Sequence, residues 1–175
     1  LERRKIQWQL LNMRILHLSD FHFGHDTFFK TQKILDSIIK ALSPFNDNVP
    51  IDFVVCTGDL INQGAKDYEA GIDKLFAVFQ QNIIQPLLEK LNLPPERFVF
   101  CPGNHDVNRL EDSKYEENGL FSLLDSEVAI SSLMQDKRCS NSVKRMVAFK
   151  KFEKNYYSNI EGIQYQYGFF ESNLI

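Results

Sequence analysis

Three short apolar runs, each followed closely by carboxylate, histidine or amide side chains, constrain this chain more than any other feature. Met13-Arg14-Ile15-Leu16-His17-Leu18 leads into Asp20-Phe21-His22, Ile51-Asp52-Phe53-Val54-Val55-Cys56 into Gly58-Asp59, and Phe98-Val99-Phe100-Cys101 into Gly103-Asn104-His105-Asp106. Runs of this kind, rich in β-branched and aromatic residues and bounded by turn formers, read as buried parallel strands. The polar clusters then lie just past strand ends. In an open α/β sheet the crevice outside the carboxyl ends of the strands is where ligands bind, so residues remote in sequence are delivered to one place. The separations from Asp20 to Asp59 and from Asp59 to Asn104 each leave room for a crossover helix, a βαβ unit taking roughly 30 residues.

Helical periodicity fills both gaps. After the cap signal Asp26-Thr27, the residues Ile34, Leu35, Ile38, Ile39 and Leu42 repeat at helical spacing, and Ser43-Pro44 is expected to stop the run. Ile72, Leu75, Phe76, Phe79 and Ile83 mark the buried face of a second helix. Pro86 either kinks it or opens a further short helix before the turn Leu93-Pro94-Pro95. The order is therefore β, α, β, α, β.

Composition narrows the partners. With 175 residues, 43% hydrophobic, and 20 basic against 23 acidic side chains for a net charge of −3, the chain reads as one ordinary globular domain. It lacks the basic excess of a general nucleic-acid binder, a bilayer-spanning apolar stretch and a signal-peptide pattern, so a cytoplasmic location and no membrane partner are expected. Cys56, Cys101 and Cys139 form neither a disulfide framework nor a zinc pattern. Cys56 and Cys101, each three residues before a polar-cluster residue, read as buried small hydrophobes on neighbouring strands.

Taken together, Asp20-x-His22, Gly58-Asp59-(x)4-Gly64 and Gly103-Asn104-His105-Asp106 resemble the motifs of the calcineurin-like metallophosphoesterases, over roughly residues 13 to 109. Each motif alone is weak, but three in the family's order, each after a strand, are hard to obtain by chance. The resemblance implies an α/β fold in the form of a four-layer α/β/β/α sandwich, with a dinuclear metal centre at one edge. It implies that Asp20 and His22 bind one ion, that Asp59 bridges both and that Asn104 binds the second. His105 is then a catalytic acid or transition-state stabiliser outside the ligand set, and Asp106 orients it, a pairing that suits an imidazole titrating near neutrality. The mixture of hard oxygens with imidazole favours two divalent transition-metal ions, Mn, Fe or Zn, over Mg or Ca. Two such ions, about 3.5 to 4 Å apart, polarise a phosphoryl group and supply an activated hydroxide for in-line attack. Gly58 and Gly103 are expected to allow tight turns and close backbone approach, and Gly64 to do the same at the following helix.

In isolation the same residues have plainer readings. Asp-x-His after a strand is commonly a turn with a surface histidine, Asp59 a helix cap and Asn104 a turn residue. His17, inside the first strand, reads as a buried, hydrogen-bonded residue rather than a ligand. His25 reads as a loop histidine beside a helix start. Arg109, three residues past Asp106, is a candidate substrate-binding phosphate clamp through its planar fork, with a surface ion pair an equal alternative.

The chain departs from the family pattern after His105. The family completes its centre with a lone histidine and a final Gly-His-x-His, whereas no histidine follows His105 in this sequence. We therefore expect only the N-terminal part of the sandwich, in a polypeptide that continues into further domains. Residues 1–12 form an N-terminal extension and 13–109 the core bearing the motifs. Residues 110–160 form a helical cap or insertion, and 161–175 begin a further strand region. In the cap, helices are expected over Leu120 to Met134 and roughly Ser142 to Tyr157. The latter sets Val143, Met146, Val147, Phe149, Phe152 and Tyr156 against Lys144, Arg145, Lys150, Lys151 and Lys154. The basic face reads as solvated, with an anionic contact as the alternative. Tyr156, Tyr157, Tyr165 and Tyr167 read as packing aromatics rather than base-stacking ones.

Substrate class follows from further departures. Cys101-Pro102 stands where the phosphoserine/threonine phosphatases carry an arginine before Gly103. Gly58-Asp59-Leu60-Ile61-Asn62 lacks the Gly-Asp-x-Phe-Asp of the family's DNA-repair nucleases. The remaining branch is the bacterial phosphodiesterase type, acting on a phosphoester substrate such as a nucleotide, with nucleic acid less favoured. The alternatives are a non-catalytic phosphate-ligand-binding or regulatory domain and, behind it, a nuclease.

Overall fold

The computed structural model describes residues 13–24, 28–46, 50–62, 71–108, 114–135, 144–162, 165–167 and 172–174. Strands β1 (Ile15–Leu18), β2 (Phe53–Thr57) and β3 (Phe98–Cys101) form an all-parallel sheet in the order β1-β2-β3. The register places Ile15 beside Phe53, Cys56 beside Phe100 and Thr57 beside Cys101. Helix α1 (Phe28–Asn46) crosses from β1 to β2. Helices α2 (Ile72–Phe79) and α3 (Gln85–Leu91), joined through a π-helical turn at Gln80–Ile84, cross from β2 to β3. Right-handed crossovers stepping in one direction along a sheet place their helices on the same face. The buried residues agree, because Val54, Cys56, Phe98 and Phe100 share one core with Leu35, Leu75, Phe76, Phe79 and Ile83.

Pro86 opens α3 rather than merely kinking a continuous helix. Proline lacks the N–H that would bond the carbonyl four residues back, that of Asn82. Gln32 of α1 supplies the donor instead, Nε2 to the Asn82 carbonyl oxygen at 3.0 Å. The helix then closes with Asn92 in the left-handed conformation and the Leu93 N–H returning to the Leu88 carbonyl at 2.9 Å, which satisfies carbonyls that a helix end leaves open.

Helices α4 (Lys114–Leu123) and α5 (Glu127–Gln135) replace the one helix expected over Leu120 to Met134. Ser126 is the reason: its Oγ accepts the Ala129 N–H at 3.2 Å, as an N-cap does, and so starts a new helix. A 3-10 turn at Lys144–Met146 leads into α6 (Val147–Ser158), close to the expected helix, and the short strands β4 (Tyr165–Tyr167) and β5 (Ser172–Leu174) pair antiparallel. This two-stranded pair and the parallel sheet make a mixed α/β structure.

Helix α6 seals β3. The Phe100 ring stacks on Tyr157 at 5.3 Å between centroids and meets Phe152, Tyr156 and Phe149 at 5.2, 5.4 and 5.9 Å. Tyr156 and Tyr157 also donate to the carbonyls of Pro95 and Phe98, so both pack as expected. Lys150 does not share the solvated face assigned to it: it is buried and its Nζ lies 2.9 Å from Glu153 Oε2. The partner one turn away on the same helix makes that burial tolerable.

Three further expectations are corrected. Helix α1 runs two residues past Pro44, which removes only one ladder bond so near the helix end. His17 is exposed rather than buried, although it is hydrogen-bonded, Nε2 lying 2.7 Å from Thr57 Oγ1. Cys101 is likewise exposed while Cys56 is buried. Strand parity explains both, since Cys56 pairs with Phe100 on the helix-covered face, whereas Thr57 and Cys101 fall on the opposite one, as does His17. His25, the Asp26-Thr27 cap, Gly64, Arg109, Cys139 and Val143 lie outside the described residues, as do residues 1–12.

Candidate metal centre

The pairing of β1 with β2 continues beyond both strands. Asp20 N–H donates to the Gly58 carbonyl at 3.2 Å, His22 N–H to that of Asp59 at 2.9 Å, and Phe23 N–H to that of Leu60 at 3.1 Å. Asn62 N–H returns to the Phe23 carbonyl at 2.9 Å. Phe21, Phe23, Leu60 and Ile61 meanwhile bury their side chains in the core. Asp20, His22 and Asp59 are thereby left at the rim, held by a loop pair that is itself hydrogen-bonded and anchored.

That placement bends the backbone out of its ordinary range. Asp20, His22 and Asp59 have φ of 57°, 45° and 52°, and Gly58 has 94°. Aspartate and histidine enter the left-handed region more readily than most side chains, but at an energetic cost that glycine avoids. Gly58 and Gly103 also pack directly on one another: a Cβ on Gly58 would come within 2.8 Å of the Gly103 Cα. A Cβ on Gly103 would fall on the Asp59 carboxylate and backbone nitrogen. The close approach expected of these two glycines is what brings the loop after β3 against the loop after β2.

The approach carries His105 to Asp59. The His105 N–H donates to Asp59 Oδ1 at 2.9 Å, and the His105 and His22 rings meet edge to face at 4.5 Å between centroids. His22 Nε2 lies 4.0 Å from Asp59 Oδ2 and 3.7 Å from Asp20 Oδ1. His22, Asp59 and His105 each offer one ligand atom, all within 4.8 Å of one another. Donors bound about 2.1 Å from one ion stand roughly 3.3 to 4.2 Å apart, so small side-chain movements suffice to close this group on a divalent cation. Imidazole together with carboxylate donors suits a transition metal. Asp20 is exposed beside the group, its carboxylate accepting from the Ser19 hydroxyl, and Asn104 is exposed in the turn adjoining His105.

Asp106 behaves differently from the others. It is fully buried, its Oδ1 accepting the Ile61 N–H at 2.9 Å and its Oδ2 the Gly103 N–H at 2.8 Å. Burial pushes its carboxyl group above the usual range, and the Asp59 charge adds to this, against the opposing pull of the Gly103, Ile61 and Leu60 amides. Sequence reasoning linked Asp106 to the His105 ring and missed these backbone partners. No local pattern announces a carboxylate that bonds an amide 45 positions away.

The sequence itself places the chain. A family model described as calcineurin-like phosphoesterase matches residues 13–168. No curated protein matches the chain.

Proposed function

Since the chain belongs to the calcineurin-like phosphoesterase family, we propose that it is a metal-dependent phosphoester hydrolase, and within that class a phosphodiesterase of the bacterial type working with two divalent transition-metal ions. The observation that carries this reading is the convergence of His22, Asp59 and His105 from the ends of three different strands. Asp20 and His22 would hold one ion, Asp59 would bridge the pair, and Asn104 would bind the second. When bound, the ions supply Lewis acidity that polarises the phosphoryl oxygens and makes water nucleophilic at neutral pH. The protein's own work is then positioning and proton transfer. The His105 imidazole would donate a proton to the leaving oxygen, and the Asp59 carboxylate, accepting the backbone N–H of His105, keeps that residue beside the ligand group.

The substrate reading rests on Cys101-Pro102 ahead of Gly103 and on Leu60-Ile61-Asn62 after Asp59. Leu60 and Ile61 are buried and serve the core. A nucleotide-like phosphodiester is the proposed substrate, and Arg109 a proposed phosphate contact. The test is hydrolysis of bis(4-nitrophenyl) phosphate by the full-length protein with Mn2+. Asp59→Asn is expected to abolish turnover, and retained activity would overturn the assignment. The second reading is a domain that binds a phosphorylated ligand without turnover. Saturable ligand binding with no metal-dependent hydrolysis in the full-length protein would select it.

A further inference from the structure

We propose that Asp106 is a positioning residue for this centre: its buried carboxylate locks the loop after β2 to the loop after β3 and so fixes the separation of Asp59 from His105. The inference rests on the metal-centre reading above and deepens it.

Two carboxylates exchange amides across the same junction. Asp59, in the first loop, accepts the N–H of His105 in the second at 2.9 Å. Asp106, in the second loop, accepts the N–H of Ile61 in the first at 2.9 Å and that of Gly103 in its own at 2.8 Å. The reciprocity makes a closed ring of backbone and side chain around the point where Gly58 meets Gly103. Slack is absent there, because even one methyl group on Gly103 would collide with Asp59. Asp106 is 0% exposed, so water cannot substitute for its amide contacts. Ionised, a carboxylate is the side chain that offers acceptors on both arms at this length. Asparagine would turn one arm into a donor facing an N–H group.

Replacing a group that only stabilised the fold would lower the melting temperature without altering the ligand geometry. A positioning group must change metal affinity as well, and partners of metal ligands typically alter it 10- to 100-fold when replaced. The experiment titrates the full-length protein and its variants with Mn2+ by calorimetry and follows amide hydrogen exchange at Ile61 and Gly103. Asp106→Asn is expected to weaken Mn2+ binding at least about tenfold and to speed exchange at both amides. Tyr156→Phe, which removes the bond to the Pro95 carbonyl far from the centre, is the matched control and is expected to bind Mn2+ within about twofold of the parent. Unchanged affinity in Asp106→Asn, or an equal loss in Tyr156→Phe, overturns the proposal. Should Asp106→Asn fail to fold, Asp106→Glu, which keeps charge and both acceptors but shifts them by one methylene, takes its place with the same expectation. A parent protein that binds no Mn2+ sinks the metal-centre reading before any variant is compared. Amide exchange then decides the lock alone: faster exchange confined to the two loops supports it, and unchanged exchange overturns it.

Discussion

His22 brings its imidazole to the ligand group with φ at 45°, a backbone conformation that costs a side-chain-bearing residue roughly 1–2 kcal/mol and glycine almost nothing. Two replacements that both delete the ring should therefore differ in stability. We expect His22→Gly to be more stable than His22→Ala by about 1 kcal/mol in urea unfolding, with both losing metal affinity. Equal unfolding midpoints would mean that the loop relaxes freely. Gly103→Ala acts in the opposite sense: the new methyl group meets the Asp59 carboxylate, and a loss of about 1–3 kcal/mol is expected by the same assay. The two strand cysteines separate by reactivity. Burial pushes the Cys56 thiol up to about 12, so it stays protonated and inert, whereas Cys101 is exposed. Peptide mapping after brief alkylation of the folded protein should find Cys101 modified and Cys56 labelled only in denaturant.

At the level of elements, the most specific arrangement is the side-chain donor that α1 lends to the interrupted second crossover. Gln32→Ala removes it and should cost about 1 kcal/mol, because the Asn82 carbonyl loses this side-chain donor. Pro86→Ala restores a backbone N–H within reach of that carbonyl, so the Gln32→Ala penalty should shrink in the Pro86→Ala background. A double-mutant cycle measures the difference, and strict additivity would break the link. This contact also shows where legibility ends. The three strands, the two crossovers and the convergence of their end clusters could be read directly, because period and strand-end chemistry are local signals. The break between α4 and α5 had a local signal too, the cap at Ser126, but apolar periodicity across it dominated the reading. Which face Cys101 and His17 take depends on register between strands. The partners of Asp106 and Lys150 depend on tertiary neighbours, to which spacing along the chain is blind.

For the whole molecule, ligand binding should appear as stability. A cation bound only by the folded state adds about 2.7 kcal/mol at a hundred times its dissociation constant, so Mn2+ is expected to raise the melting temperature in a concentration-dependent way. Asp59→Asn should abolish that shift. A shift that survives in Asp59→Asn would place the cation elsewhere. No described helix is long and apolar enough to cross a membrane. The sheet itself is sealed from one side by helices brought from far apart in the chain, and the last of these to be made is α6. Its packing on Phe100 has a consequence for biosynthesis. All three polar clusters leave the ribosome before Tyr157, and at about 5–20 residues per second the aromatic surface of β3 waits some seconds for its cover. During that interval the nascent chain displays a sticky phenylalanine face a few residues from an unfinished centre.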